Sequence, residues 1–129
     1  MMGARASNEE YSMTIRRIEP GPRMSQAVVH NGTVILAGQV ADEPVADVTQ
    51  QTAQVLARID RLLAEAGSDK SRLLAATVWL ADIGTFAQMN AAWDAWVDKA
   101  NPPARATVEA RLAAPQYLVE IQVSAVCKT

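Results

Sequence analysis

Arg105 and Glu120 stand on the polar stripes of two strand-like segments near the end of the chain. In Pro102-Pro103-Ala104-Arg105-Ala106-Thr107-Val108-Glu109, apolar and polar residues alternate. Ala106 and Val108 therefore point one way, and Arg105, Thr107 and Glu109 the other. From Tyr117 to Val126 the same period puts Val119, Ile121, Val123 and Ala125 on one face, opposed by Glu120, Gln122 and Ser124. A guanidinium can grip a planar carboxylate through two parallel hydrogen bonds, and a glutamate can orient or activate a water. The same two residues could equally form a solvated strand face or a surface ion pair, which contributes little.

The elements that must position these residues follow from pattern. Met1–Ser12 is polar and aperiodic and reads as a disordered lead, with Met13 a natural start for one domain over residues 13–129. Thr14–Ile18 is a short strand stopped by Glu19-Pro20-Gly21-Pro22. Met24–His30 and Thr33–Gln39 are two strands joined by Asn31-Gly32, a dipeptide suited to a two-residue hairpin turn. After a loop at Pro44–Ala46, Asp47 can cap a helix whose apolar residues Val48, Val55, Ile59, Leu62 and Leu63 recur at helical spacing until Gly67 closes it. Ser68–Ser71 is a turn, and Leu73–Leu80 is uncharged and apolar on both faces, as a central strand should be.

Asp82–Gly84 breaks that strand. Thr85-Phe86-Ala87-Gln88 then has capping-box spacing, and Phe86, Met89, Trp93, Trp96 and Val97 form the stripe of a second helix. On spacing alone Asn90 is a solvent-facing helix residue, and the two tryptophans are core and not a stacking platform. Pro102-Pro103 forces the chain extended into Ala104–Glu109. The order of elements predicts an α+β fold, a mixed sheet with two helices packed on one face. Two helices cover only one face, so a central strand apolar on both sides needs cover for the other, most economically from further copies of the chain.

Composition narrows the function. The 129 residues give one modest core, half of them apolar and 20% charged. Twelve basic and fourteen acidic side chains leave a net charge of −2, which argues against a phosphate-neutralising or membrane-surface protein. No apolar run spans a bilayer and no signal segment is present, so the expected compartment is the cytoplasm. Cys127 is the single cysteine and reads as a reduced packing residue; His30, the single histidine, flanks the hairpin turn. One Cys and one His make no zinc site, and no carboxylate spacing suits calcium, so no metal is expected.

Pro103-Ala104-Arg105 leading into a strand, then a Pro-containing loop and Val119-Glu120-Ile121, resembles the signature of the RidA/YjgF family of enamine/imine deaminases. Gly21-Pro22-Arg23-Met24-Ser25-Gln26-Ala27 before the hairpin and Ala37-Gly38-Gln39 after it extend the resemblance over nearly all of Met13–Val126. Met24 stands where the family usually has Tyr, with one residue inserted before it. Ala37 replaces the usual Ser, and Thr107 stands where many members have Cys.

The resemblance implies a chorismate-mutase-like fold assembled as a homotrimer around a central barrel, with one pocket at each subunit interface. It implies cofactor-independent hydrolysis of 2-imino or 2-enamino acids to 2-keto acids and ammonia, on a small-molecule substrate; the charge balance leads us to expect no nucleic-acid or membrane partner. In that scheme Arg105 clamps the substrate carboxylate and Glu120 positions or activates the water. Thr107, Gly38, Asn90 and Met24 line the site, Gly38 by letting backbone approach the ligand. Two alternatives stay open: a non-catalytic protein that binds a small carboxylate in the same pocket, and RNA cleavage or translational inhibition. The acidic balance and the lack of a basic-aromatic stripe disfavour the last.

Overall fold

In a computed structural model, residues 14–44 and 47–128 are described. The expected lead over residues 1–12 and residues 45–46 of the expected loop lie outside them. The elements are β1 (Arg16–Pro20), β2 (Ser25–His30), β3 (Thr33–Leu36), α1 (Val48–Glu65), β4 (Leu73–Leu80), α2 (Phe86–Trp96), β5 (Ala104–Glu109) and β6 (Val119–Val126). They build a six-stranded mixed sheet in the order β1-β2-β3-β6-β4-β5. The β4–β5 pair is parallel and the other pairs are antiparallel. This is the expected α+β architecture, with both helices on one face.

Local chemistry explains most boundaries. Asn31 (φ 52°) and Gly32 (φ 80°) both occupy the left-handed region, as a tight hairpin turn that follows the strand twist requires. The Asp47 carboxylate accepts from the Gln50 N–H at 2.9 Å and caps α1. Gly67 takes φ 82° just past the helix end, where a side chain would be strained. Two expectations are corrected. β1 runs through Pro20, which pairs with Ser25, instead of stopping at Ile18. It is an edge strand, so the missing proline N–H leaves no ladder bond unmade. The capping box at Thr85 does not form: its hydroxyl donates to the Asp82 carbonyl at 2.6 Å, and the Asp82 carboxylate accepts from the Gly84 N–H at 2.8 Å. A one-turn 3₁₀ segment at Ile83–Thr85 therefore leads into α2.

The core lies between sheet and helices. Val55, Leu56, Ile59, Leu62 and Leu63 of α1 meet Leu36, Val78, Leu80, Val119, Ile121 and Ala125 of the sheet, with Met89 and Trp93 from α2. Two buried residues on α1 are polar, Gln51 and Thr52. Gln51 accepts from the Leu118 N–H at 3.0 Å and donates to the carbonyls of Gln116 (3.0 Å) and Pro44 (3.1 Å). It ties the loop before β6 to the helix and so fixes where β6 begins. Cys127 is buried at the core margin, where burial raises its thiol above the ordinary value, and His30 sits exposed at the hairpin. Both match the structural roles expected of them.

Among the described residues no helix covers the far face of the sheet. The register puts Val28, Ile35, Ser124, Ala75 and Ala104 in one row across it. Thr77, Gln122 and Ala106 form the next row, and Trp79, Glu120 and Val108 the third. Ile35 and Val108 are 53% and 46% exposed there. Among the described residues β5, at the end of the sheet, pairs only with β4 and leaves its outer backbone edge open. Among the described residues no helix is long and apolar enough to cross a membrane.

Candidate functional site

The candidate residues fall into two groups on opposite faces of the sheet. In the parallel ladder Arg105 is opposite Ala76 and Thr107 opposite Val78. Ala76 and Val78 face the helices, so Arg105 and Thr107 point under α2. In the antiparallel ladder Glu120 is opposite Trp79, which faces the uncovered side. A single copy thus does not bring Arg105 and Glu120 together.

α2 supplies the side chains that surround Arg105. Phe86, Met89, Asn90 and Trp93 are spaced i, i+3, i+4 and i+7 and share one face of the helix. The guanidinium donates to Asn90 Oδ1 at 2.9 Å and lies 5.0 Å from the Trp93 ring centre and 5.7 Å from that of Phe86. Its Nη1 is also 3.9 Å from Met89 Sδ. Asn90 is therefore not the solvent-facing residue expected from its spacing; it fixes the arginine head. Trp93 belongs to the core as expected, and its ring face also carries the cation.

No carboxylate forms an ion pair with Arg105 among the described residues. Burial lowers its affinity for the proton, and only the more distant charge of Asp94 opposes that effect. Two residues along on the same face, the Thr107 hydroxyl is buried with no hydrogen-bond partner. An unsatisfied buried hydroxyl costs on the order of 1–3 kcal/mol. A half-desolvated cation beside an unpartnered donor is an arrangement that an incoming carboxylate would complete.

Glu120 occupies the other face beside Gly38. A Cβ on Gly38 would lie 2.1 Å from Glu120 Oε2, so only glycine lets the carboxylate rest on the backbone there. Burial is the one cause raising the Glu120 carboxyl above its ordinary value; no positive charge holds it down. A carboxylate tuned upward and resting on backbone is suited to accept a proton from water. Met24 is half exposed in the β1–β2 loop and lines a concavity of about 650 Å³ with Pro20, Pro22, Arg23 and Gln26. A larger concavity of about 740 Å³ follows the loop after β5, past Glu109, Arg111 and Tyr117, and includes none of the six candidates.

Sequence reasoning left out Gln39 and Arg58. Gln39 is fully buried, and its amide oxygen accepts from Arg58 Nε at 3.0 Å. A glutamine next to Gly38 was in view; its burial depends on a helix nineteen residues away in sequence. Among the described residues no cluster of three or more His, Cys, Asp or Glu could hold a metal ion.

The family model described as "Endoribonuclease L-PSP" matches residues 14–127. A RutC family protein of Haemophilus influenzae is 49% identical over 116 residues, covering 89% of this chain and 100% of that protein. The RutC family protein YoaB of Escherichia coli K12 is 49% identical over 113 residues, covering 88% of this chain and 98% of that one. Among solved structures, NMB1025 of Neisseria meningitidis, a member of the YjgF protein family, superposes with a TM-score of 0.88 at 50% identity, covering 91% of this chain and 98% of that one. With a family model matching almost the whole described chain and relatives near half-identity along their full length, the chain belongs to the YjgF/RutC family.

Proposed function

We propose that the protein is a cofactor-independent hydrolase of reactive 2-imino and 2-enamino acids, releasing the 2-keto acid and ammonia. The observation that carries this reading lies under α2: a half-buried Arg105 with no carboxylate partner, and on the same strand face a buried Thr107 hydroxyl with no hydrogen-bond partner among the described residues. Arg105, its head fixed by Asn90 and Trp93, grips the substrate carboxylate with two parallel hydrogen bonds, and Thr107 donates a third. The enamine form first gains a proton at carbon to give the imine. Water then adds to the imine carbon as Glu120 takes its proton, and that proton passes to nitrogen. Collapse of the resulting carbinolamine forms the carbonyl and expels ammonia. Imines already hydrolyse in water, so holding the substrate and placing charge are sufficient catalysis.

Because Arg105 and Glu120 face opposite ways in one copy, each site joins the Arg105 pocket of one subunit to the Glu120–Gly38 corner of a neighbour. The uncovered apolar face and the open edge of β5 favour such neighbours; the number three follows the family resemblance. Light scattering is expected to give the mass of a trimer at micromolar concentration. Ile35→Lys or Val108→Lys, each setting a charge on the uncovered face, should dissociate it and abolish turnover together. A stable wild-type monomer would remove both the assembly and the shared site.

The activity itself is tested by generating an imino acid in situ and following its loss with purified protein. Faster release of keto acid and ammonia than the uncatalysed rate supports the hydrolase. Tight carboxylate binding with only the background rate would instead make the protein a binding module.

A further inference from the structure

Glu120 has no hydrogen-bond or ion-pair partner among the described residues. Its carboxylate is placed by packing on Gly38, so whatever holds Gly38 aims Glu120. The backbone on each side of Gly38 is held by hydrogen bonds. The Ala37 N–H donates to the Gln26 carbonyl at 2.9 Å, and Gln39 exchanges backbone bonds with Ile121 at 2.8 and 3.1 Å. The buried Gln39 side chain closes the bend. Its Nε2 donates to the Ala37 carbonyl and to Gln26 Oε1, both at 3.0 Å, while its Oε1 accepts from Arg58 Nε on α1. A guanidinium can only donate, so Arg58 dictates which end of the amide faces it and leaves both amide hydrogens for the bend. Arg58 is itself held by an ion pair with Asp42.

We infer that Gln39 is a positioning residue for Glu120, acting through the Gly38 backbone, and that Arg58 sets the orientation of its amide. This rests on the reading of Glu120 as the residue that activates water. Gln39→Met keeps the volume but removes all three side-chain bonds. Gln39→Glu keeps an acceptor for Arg58 but loses both donations to the bend. Either should lower kcat about tenfold or more while leaving KM within about twofold, because the carboxylate grip lies on Arg105, on the other face. Arg58→Met should reproduce the loss in milder form, and Arg58→Lys should restore most of it by supplying a donor.

A substrate-free measurement separates this proposal from the deaminase reading. The ¹³C-carboxyl resonance of Glu120, identified by its absence in Glu120→Gln, should move in Gln39→Met and Arg58→Met and stay in place in Arg58→Lys. If the wild-type protein hydrolyses no imine and the resonance still moves, the positioning role stands and the deaminase reading falls. If turnover is present and both the resonance and kcat are unchanged in folded Gln39→Met, the positioning role is overturned. Should that variant fail to fold, Arg58→Met, at a half-buried position, decides on the same readouts.

Discussion

Arg105→Lys is expected to lower kcat/KM for an imino acid by roughly thirty- to a thousandfold, about 2–4 kcal/mol of transition-state binding. The charge is retained, so the loss measures geometry. A lysine ammonium is a point donor and offers no planar fork to a carboxylate. It also leaves Asn90 Oδ1 and the Trp93 face without the flat cation they hold in the wild type. Arg105→Ala should lose at least as much. Neither change should lower the melting temperature by more than a few degrees, because Arg105 makes no ion pair among the described residues and its desolvation is a cost to folding. If Arg105 merely decorated a strand, both variants would turn over imines normally and any loss would be in stability.

Glu120→Gln is expected to cut kcat by about a hundred- to ten-thousandfold, the usual contribution of a positioned base, with little change in KM. The glutamine keeps the shape that rests on Gly38 and removes only the basicity. The pH dependence has a definite sign. Burial raises the Glu120 carboxyl, so the active carboxylate is lost on acidification at a pH above the ordinary glutamate range. The wild-type acid limb of kcat/KM should lie there and be absent in Glu120→Gln. For stability, a raised folded value means that protonation favours the native state. That contribution is fully present below the unfolded value and is lost as pH rises from there through the raised folded value. At neutral pH the ionised carboxylate is therefore a folding cost, and Glu120→Gln should melt no lower than wild type, as expected of a residue that serves chemistry and not packing.

Much of the fold could be read from local chemistry. The Asn31-Gly32 turn, the Asp47 cap, the Gly67 stop and the uncharged central strand are each decided within a few residues, and each is found where the pattern placed it. Thr85 shows the limit of local rules: the Asp82 carbonyl, three residues upstream, takes both the N–H and the hydroxyl hydrogen of Thr85. Spacing alone places Asn90 toward solvent, yet it is half-buried and accepts from Arg105. The charge that makes it useful there comes from β5, fifteen residues on.

The division of the site was not legible. Alternation shows that Arg105 and Glu120 each lie on the polar stripe of a strand. It cannot show that one polar stripe faces helices and the other faces a neighbour, because that depends on two ladders meeting at β4. The same is true of Gly38 and Glu120, which are far apart in sequence and touch only through the register of β3 and β6.

The most direct test of a shared site is subunit mixing. Arg105→Ala and Glu120→Gln proteins, each inactive alone, are unfolded together, refolded and assayed on an imino acid. A site that takes Arg105 from one copy and Glu120 from the next should recover up to about a quarter of wild-type activity at equal mixing, since a random pairing supplies both intact residues that often. A mixture that assembles and remains as inactive as either parent would contradict a site shared between copies.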